Sequence, residues 1–110
     1  MDRVIIRFPE FQEHIQEILV RKGCTSAECH LIGQGGLILG PDAVKNHMNI
    51  VNVPAESETE FLRVEPFDAA NSYVIIKLEG RQRIGVSMGP IDSIDLTNLK
   101  NWINYGAPNN

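Results

Sequence analysis

The chain has 110 residues, of which 43% are hydrophobic and 22% charged, and its formal net charge at pH 7 is −4. This length suits one compact domain with a single core. The acidic balance and the lack of any Lys/Arg cluster argue against a nucleic-acid surface. No apolar run approaches the roughly 18 residues of a membrane-spanning helix, so we expect no membrane span.

The first predicted element is an amphipathic helix that begins near Pro9 and ends at Gly23. Proline is tolerated in the first turn of a helix, and glycine favours its end. Apolar residues recur at helical spacing, with acidic residues on the opposite face. The apolar residues are Phe8, Phe11, Ile15, Ile18 and Leu19. The helix therefore delivers the chain directly to the next motif.

That motif contains the only two cysteines, Cys24 and Cys29, and His30 follows the second directly. Two thiols and an adjacent imidazole are the groups that a c-type haem requires, although the usual motif has only two residues between the cysteines. Two other interpretations stay open on the residues alone. One is a disulfide between the cysteines. The other is a zinc site completed by His14 or His47.

The middle of the chain begins with a glycine-rich stretch, 33–40, whose four glycines disfavour a helix. Residues 42–48 are predicted to form a short helix, and residues 49–53 an extended piece that ends at Pro54. The acidic residues 55–60 are predicted to form a solvated turn. This part of the chain offers the weakest periodicity.

A further helix is predicted over residues 69–78, because Asp68 is a good capping residue and Gly80 follows the last apolar position. The apolar run 73–76 also fits a buried strand. The last helix is predicted over residues 95–105, capped by Asp92 or Ser93 and stopped by Gly106. Its apolar face consists of Leu96, Leu99, Trp102 and Ile103.

Met88 lies in the glycine-containing loop between these two helices. A methionine sulfur opposite a histidine raises the reduction potential of haem iron and favours electron transfer. A single methionine is more often core filler. His14, His47 and Met48 are the competing candidates for a distal ligand.

In combination these motifs resemble the cytochrome c domains of the planctomycete type, a branch of the class I c-type cytochromes. The terminal Trp-Ile-x-x-Gly-Ala-Pro stretch is the most specific piece. The resemblance covers most of the chain as one domain, 1–110, and is carried by Cys29-His30, 35–39, 64–66, 71–74, 87–90 and 99–108. Three departures accompany it: the Cys-x4-Cys spacing, Phe67 where the family usually has glycine, and an expanded stretch over residues 40–63.

The resemblance implies an all-α, class I cytochrome c-like fold with long irregular loops around one covalently bound haem c. It implies thioethers at Cys24 and Cys29, with His30 as the proximal iron ligand and Met88 as the distal one. It also implies that the first helix packs against the last, with Trp102 near the haem.

The leading hypothesis is therefore a monohaem electron-transfer protein without enzymatic activity, which exchanges electrons with redox partner proteins. The alternative is a haem-based gas or redox sensor with a labile distal ligand, and a third possibility is a small disulfide-stapled interaction domain. Covalent haem attachment implies a periplasmic or other extracytoplasmic location. Because no secretory signal is visible, we expect an origin in a longer precursor or a multidomain protein.

Overall fold

The computed structural model describes residues 4–22, 40, 42–56, 58–83 and 91–110. Over these ranges the chain forms four α-helices and isolated β-bridges, with no strand. The helices are α1 (Gln16–Lys22), α2 (Ala43–Ile50), α3 (Tyr73–Leu78) and α4 (Ser93–Asn104). The radius of gyration, 12.6 Å, is close to the roughly 13 Å expected for this length. The predicted helical class is confirmed, whereas the cytochrome arrangement stays a prediction.

The first helix begins two residues later than predicted, with a π-helical turn (Phe11–Ile15) that runs directly into α1. Phe11 and Ile15 are fully buried, as the predicted apolar face requires. Phe8 was wrongly placed on that face: it precedes the helix, is exposed, and its ring lies 4.9 Å from that of Tyr105. The predicted stop at Gly23 lies outside the described residues.

The short helix predicted after the glycine-rich stretch is confirmed as α2, and the Asp42 carboxylate accepts hydrogen bonds from the first turn. The extended piece starts later than predicted, because residues 49 and 50 still belong to α2. Val51 pairs with Val64 and Pro54 with Leu62, each as an isolated bridge.

Helices α3 and α4 end in the same way. The peptide N–H groups of Gly80 and Arg81 bond back to the last turn of α3, and those of Gly106 and Ala107 bond back to α4. This is the Schellman pattern, which requires a left-handed residue after the helix. The φ angles are +75° at Gly80 and +116° at Gly106, so the predicted glycine stops are confirmed.

The N-terminus of α4 is capped by Asp92 and not by Ser93, because the Asp92 carboxylate accepts from the amides of Ile94 and Asp95 at 3.0 and 3.1 Å. The helix predicted over 69–78 is interrupted at Ser72. A 3-10 turn (Ala69–Asn71) comes first, and α3 follows.

The core centres on the contact between the first helical element and α4. The Trp102 ring lies 5.0 Å from that of Phe11, and the His47 ring of α2 closes the cluster at 5.2 Å from Phe11. The C-terminal tail covers this cluster: Asn110 accepts from the Phe11 amide, and the Pro108 carbonyl accepts from the Trp102 indole. Packing of the first helix against the last, which the resemblance implied, is present.

Phe67 occupies a backbone conformation that usually belongs to glycine. The Asp68 amide donates to the Glu65 carbonyl at 3.0 Å, which closes a β-turn with Pro66 and Phe67 at its centre. The φ angle of Phe67 is +69°, although its side chain is 73% exposed. A positive φ at the third turn position is typical of a type II turn, where glycine is preferred.

We expect the free energy of unfolding of Phe67→Gly to be larger than that of Phe67→Ala. At ordinary positions alanine is favoured by about 0.5–1 kcal/mol, but a left-handed conformation costs a residue with a Cβ about 1–2 kcal/mol. Urea denaturation of Phe67→Gly and Phe67→Ala would compare two proteins that both lack the ring. The same pair at Val44 in α2 should show the ordinary order, and an ordinary order at position 67 would contradict the strained turn.

Candidate functional site

All four predicted haem-binding residues, Cys24, Cys29, His30 and Met88, lie outside the described residues. The structure therefore leaves the predicted ligand set untested. What it does describe is how the chain is held on either side of the two segments that contain them: residues 23–39, the Cys-His segment, and residues 84–90, the Met88 segment.

The upstream end of the Cys-His segment is tied to the start of α4. Helix α1 ends at Lys22, and the guanidinium of Arg21 in its last turn lies 2.5 Å from the carboxylate of Asp95. Asp95 is buried in the first turn of α4, directly after the segment that contains Met88. One ion pair thus joins the residues that precede the first segment to those that follow the second.

The downstream end of the Cys-His segment is held by buried amides. Asn46 of α2 donates to the Gly40 carbonyl at 2.8 Å and accepts from the Gly40 amide at 2.9 Å. Gln16 of α1 donates to the same carbonyl at 3.2 Å. The chain is therefore fixed against α1 and α2 at the point where it leaves this segment.

The upstream end of the Met88 segment is held by a buried carboxylate. Glu58 is 3% exposed and accepts hydrogen bonds from the Arg83 guanidinium at 2.6 Å, the Arg83 amide at 3.1 Å and the Tyr73 hydroxyl at 2.7 Å. Arg83 also pairs with Glu60 at the surface. This corrects the predicted solvated turn over residues 55–60, because Ala55 and Glu58 are both buried.

Glu58 was missed because nothing local distinguishes it from the acidic residues beside it. Its partners lie 15 and 25 positions further along the chain. Pro54 forms a bridge with Leu62, and the Tyr73 amide donates to the Leu62 carbonyl at 2.8 Å, so this stretch is connected to the start of α3. The hydrogen bonds from Arg83 and Tyr73 lower the pKa of the Glu58 carboxyl. Burial, the larger cause, and the hydrogen bond to Glu58, the smaller one, raise the pKa of Tyr73 to about 12.

The Glu58 cluster predicts a loss of stability in acid. Because the pKa of Glu58 is lower in the folded state, its contribution is complete above the ordinary value of 4.5 and disappears as the pH falls through the lower folded value. Urea denaturation at neutral pH and near pH 4 should show a smaller acid-induced loss in Glu58→Gln than in the unmodified chain. Glu13→Gln, at an exposed position, should keep the full loss; an equal loss in all three proteins would contradict the assignment.

Two of the three competing ligand candidates, His14 and His47, make hydrogen bonds within the fold, and Met48 is exposed. His14 Nδ1 accepts from the Glu10 amide at 2.9 Å, as expected of a satisfied histidine near the surface. His47 Nε2 lies 2.8 Å from the Ala107 carbonyl, which can only accept, so this nitrogen carries the proton. Met48 is 68% exposed on the outer face of α2.

The described ranges contain no cluster of three or more His, Cys, Asp or Glu side chains suited to a metal ion. Nor does any helix within them have the length and apolar character needed to cross a membrane. The chain matches no family model, and no curated protein or solved structure shows significant similarity to it. The resemblance to planctomycete-type cytochromes c therefore stays a prediction from sequence motifs.

Proposed function

We propose that this chain is a monohaem c-type cytochrome that transfers single electrons. The observation that carries the proposal is the donor set in its order along the chain: two thiols at Cys24 and Cys29, the imidazole of His30, and the thioether of Met88 in a later loop. These are the groups that attach haem c and fill both axial positions of its iron.

The donor chemistry fits the group, and each residue has a distinct role. Cys24 and Cys29 would hold the porphyrin through thioether bonds, His30 would supply the proximal nitrogen, and Met88 the distal sulfur. The haem contributes a one-electron change at its iron, and a methionine ligand favours the reduced state. If His30 and Met88 both bind the iron, it would offer no site for a substrate, so we infer no enzymatic activity.

The contacts at the ends of the two ligand-bearing segments support this assignment. At three of the four ends of the two ligand-bearing segments, a residue bonds to a buried side chain: Arg21 to Asp95, Gly40 to Asn46 and Arg83 to Glu58. Fixed segment ends suit axial ligands, whose orientation must stay constant when the iron changes charge. The ion pair between Arg21 and Asp95 also brings together two positions that are 74 residues apart in the sequence.

The proposal extends to location and partners. Covalent attachment of haem takes place outside the cytoplasm, so we propose a periplasmic or other extracytoplasmic location. The net charge of −4, to which haem propionates would add, favours a redox partner with a basic or mixed-charge docking surface.

The test is to produce the chain together with a haem-attachment system and to extract the purified protein with acidic acetone. We expect the colour to stay with the polypeptide, because thioether bonds survive this treatment, and to be lost in Cys24→Ala/Cys29→Ala. Haem removed by extraction from the unmodified protein, or never acquired, would reject the proposal.

Carbon monoxide added to the reduced protein separates electron transfer from gas sensing. We expect little binding at neutral pH in the unmodified chain, since Met88 fills the distal position, and ready binding in Met88→Ala. Met48→Ala is the matched control at an exposed methionine and should behave like the unmodified chain. Ready binding by the unmodified chain would favour a sensor with a labile distal ligand.

A further inference from the structure

We propose that Asn46 is a positioning residue which fixes the downstream end of the Cys-His segment, hereafter the haem-binding segment. This inference rests on the proposed function. Its side chain is 1% exposed and belongs to α2, yet it bonds to the backbone of Gly40, six residues earlier. Gly40 ends the glycine-rich stretch 33–40, which follows Cys24, Cys29 and His30 in the sequence.

The hydrogen bonds of this group form a closed network. The Asn46 amide nitrogen donates to the Gly40 carbonyl and to Gln16 Oε1, both at 2.8 Å, which uses both of its protons. Its oxygen accepts from the Gly40 amide at 2.9 Å. Gln16 Nε2 donates to the Gly40 carbonyl at 3.2 Å, so this oxygen accepts two bonds. The Asn46 side-chain amide thus pairs with both the N–H and the C=O of one residue, as a residue of a neighbouring antiparallel strand would.

The network also sets where the segment must end. Gln16 and Lys22 are the first and last residues of α1, about 9 Å apart along its axis. The segment departs after Lys22, and Gly40 is bonded to Gln16, so both ends are attached to the same short helix. Loss of the Asn46 amide would leave one weaker bond at the returning end while α1 itself stays intact.

Asn98 of α4 provides a matched control. It is also buried, and its amide makes the same two-point contact with the backbone: it accepts from the Ile6 amide at 2.7 Å and donates to the Val4 carbonyl at 2.8 Å. The residues it holds are at the N-terminal end of the described chain. Asn98→Ala therefore removes an equivalent pair of bonds away from the haem-binding segment.

The first experiment measures hydrogen exchange at the Gly40 amide, which donates directly to Asn46. Loss of this bond should accelerate exchange about tenfold or more in Asn46→Ala, because the Gly40 amide would lose its acceptor; tenfold corresponds to about 1.4 kcal/mol. Gln16→Met, which keeps the Asn46 contact, should give a smaller acceleration and provides a second variant if Asn46→Ala does not fold. Asn98→Ala should leave this amide within about twofold of the unmodified chain.

The second experiment measures imidazole binding to the ferric, haem-loaded protein. If Asn46 positions the segment that would supply His30, Asn46→Ala should bind imidazole about tenfold more tightly, and Asn98→Ala should show no comparable change. Equal effects of the two substitutions, or an unchanged Gly40 exchange rate, would overturn the positioning role alone. Unmodified protein that acquires no haem would overturn the proposed function, and this role with it.

Discussion

Replacement of Trp102 by alanine is expected to lower the free energy of unfolding by about 3–5 kcal/mol, the range for a large aromatic residue in a well-packed core. Trp102 is fully buried, and its ring contacts Phe11 and His47 from two other helical elements. Its indole N–H also donates to the Pro108 carbonyl at 3.0 Å. The substitution would leave a cavity where the first helical element, α2 and α4 meet.

Guanidinium denaturation followed by far-ultraviolet circular dichroism measures this loss, with the same cofactor content in each protein. Trp102→Phe keeps most of the ring and should cost much less, while Tyr105→Ala, at a partly exposed position of the same helix end, should cost about 1 kcal/mol or less. A similar cost for Trp102→Ala and Tyr105→Ala would contradict a core built around Trp102.

Gly106→Ala is expected to destabilise the chain by about 2–3 kcal/mol, because alanine at this site is strained in its backbone. The φ angle of +116° lies well beyond the ordinary left-handed region, and an added Cβ would lie 2.9 Å from Cζ of Phe67. The exposed Phe67 ring can move aside, so most of the cost should come from φ. The Schellman bonds that close α4 would weaken with it.

A double-mutant cycle separates these two contributions. If backbone strain dominates, Gly106→Ala should still cost more than about 1 kcal/mol in a Phe67→Ala background. Gly80→Ala is the matched control, since its φ angle of +75° is closer to what alanine tolerates. If the cost disappears once the ring is removed, steric overlap and not φ explains the glycine.

The ends of the helices could be predicted from sequence where a cap or stop residue acts locally. Asp42, Asp92, Gly80 and Gly106 each bond to, or adopt the backbone angle required by, the turn beside them. Periodicity likewise predicted the burial of Leu99, because apolar residues at helical spacing form one face of α4, and that face packs against the core. Such features depend on residues within one or two turns of each other.

The features that could not be predicted depend on contacts distant in sequence. Glu58 is acidic and surrounded by acidic residues, and only its bonds to Tyr73 and Arg83 make its burial favourable. The break at Ser72 has the same origin, since the amides of Tyr73 and Val74 donate to the distant carbonyls of Leu62 and Arg63 and not to the preceding turn. The predicted ligands themselves rest on motif chemistry, and the structure describes only their flanking residues.

The side-chain amides that bond to Gly40 are a second example of contacts that sequence motifs do not predict. Asn46 and Gln16 stand in two helices predicted correctly, but neither residue belongs to a recognisable functional pattern. Their role appears only when both side chains are seen to bond to one glycine. Sequence motifs identify the groups that do chemistry more readily than the groups that hold them.

The most direct test of the central claim is the visible spectrum of the reduced protein and of its pyridine adduct, because together they report the haem type and the number of thioether bonds. We predict the spectrum of haem c with both vinyl groups saturated, by Cys24 and Cys29. A colourless protein whose two cysteines are joined to each other, or bind a bare metal ion, would contradict the account.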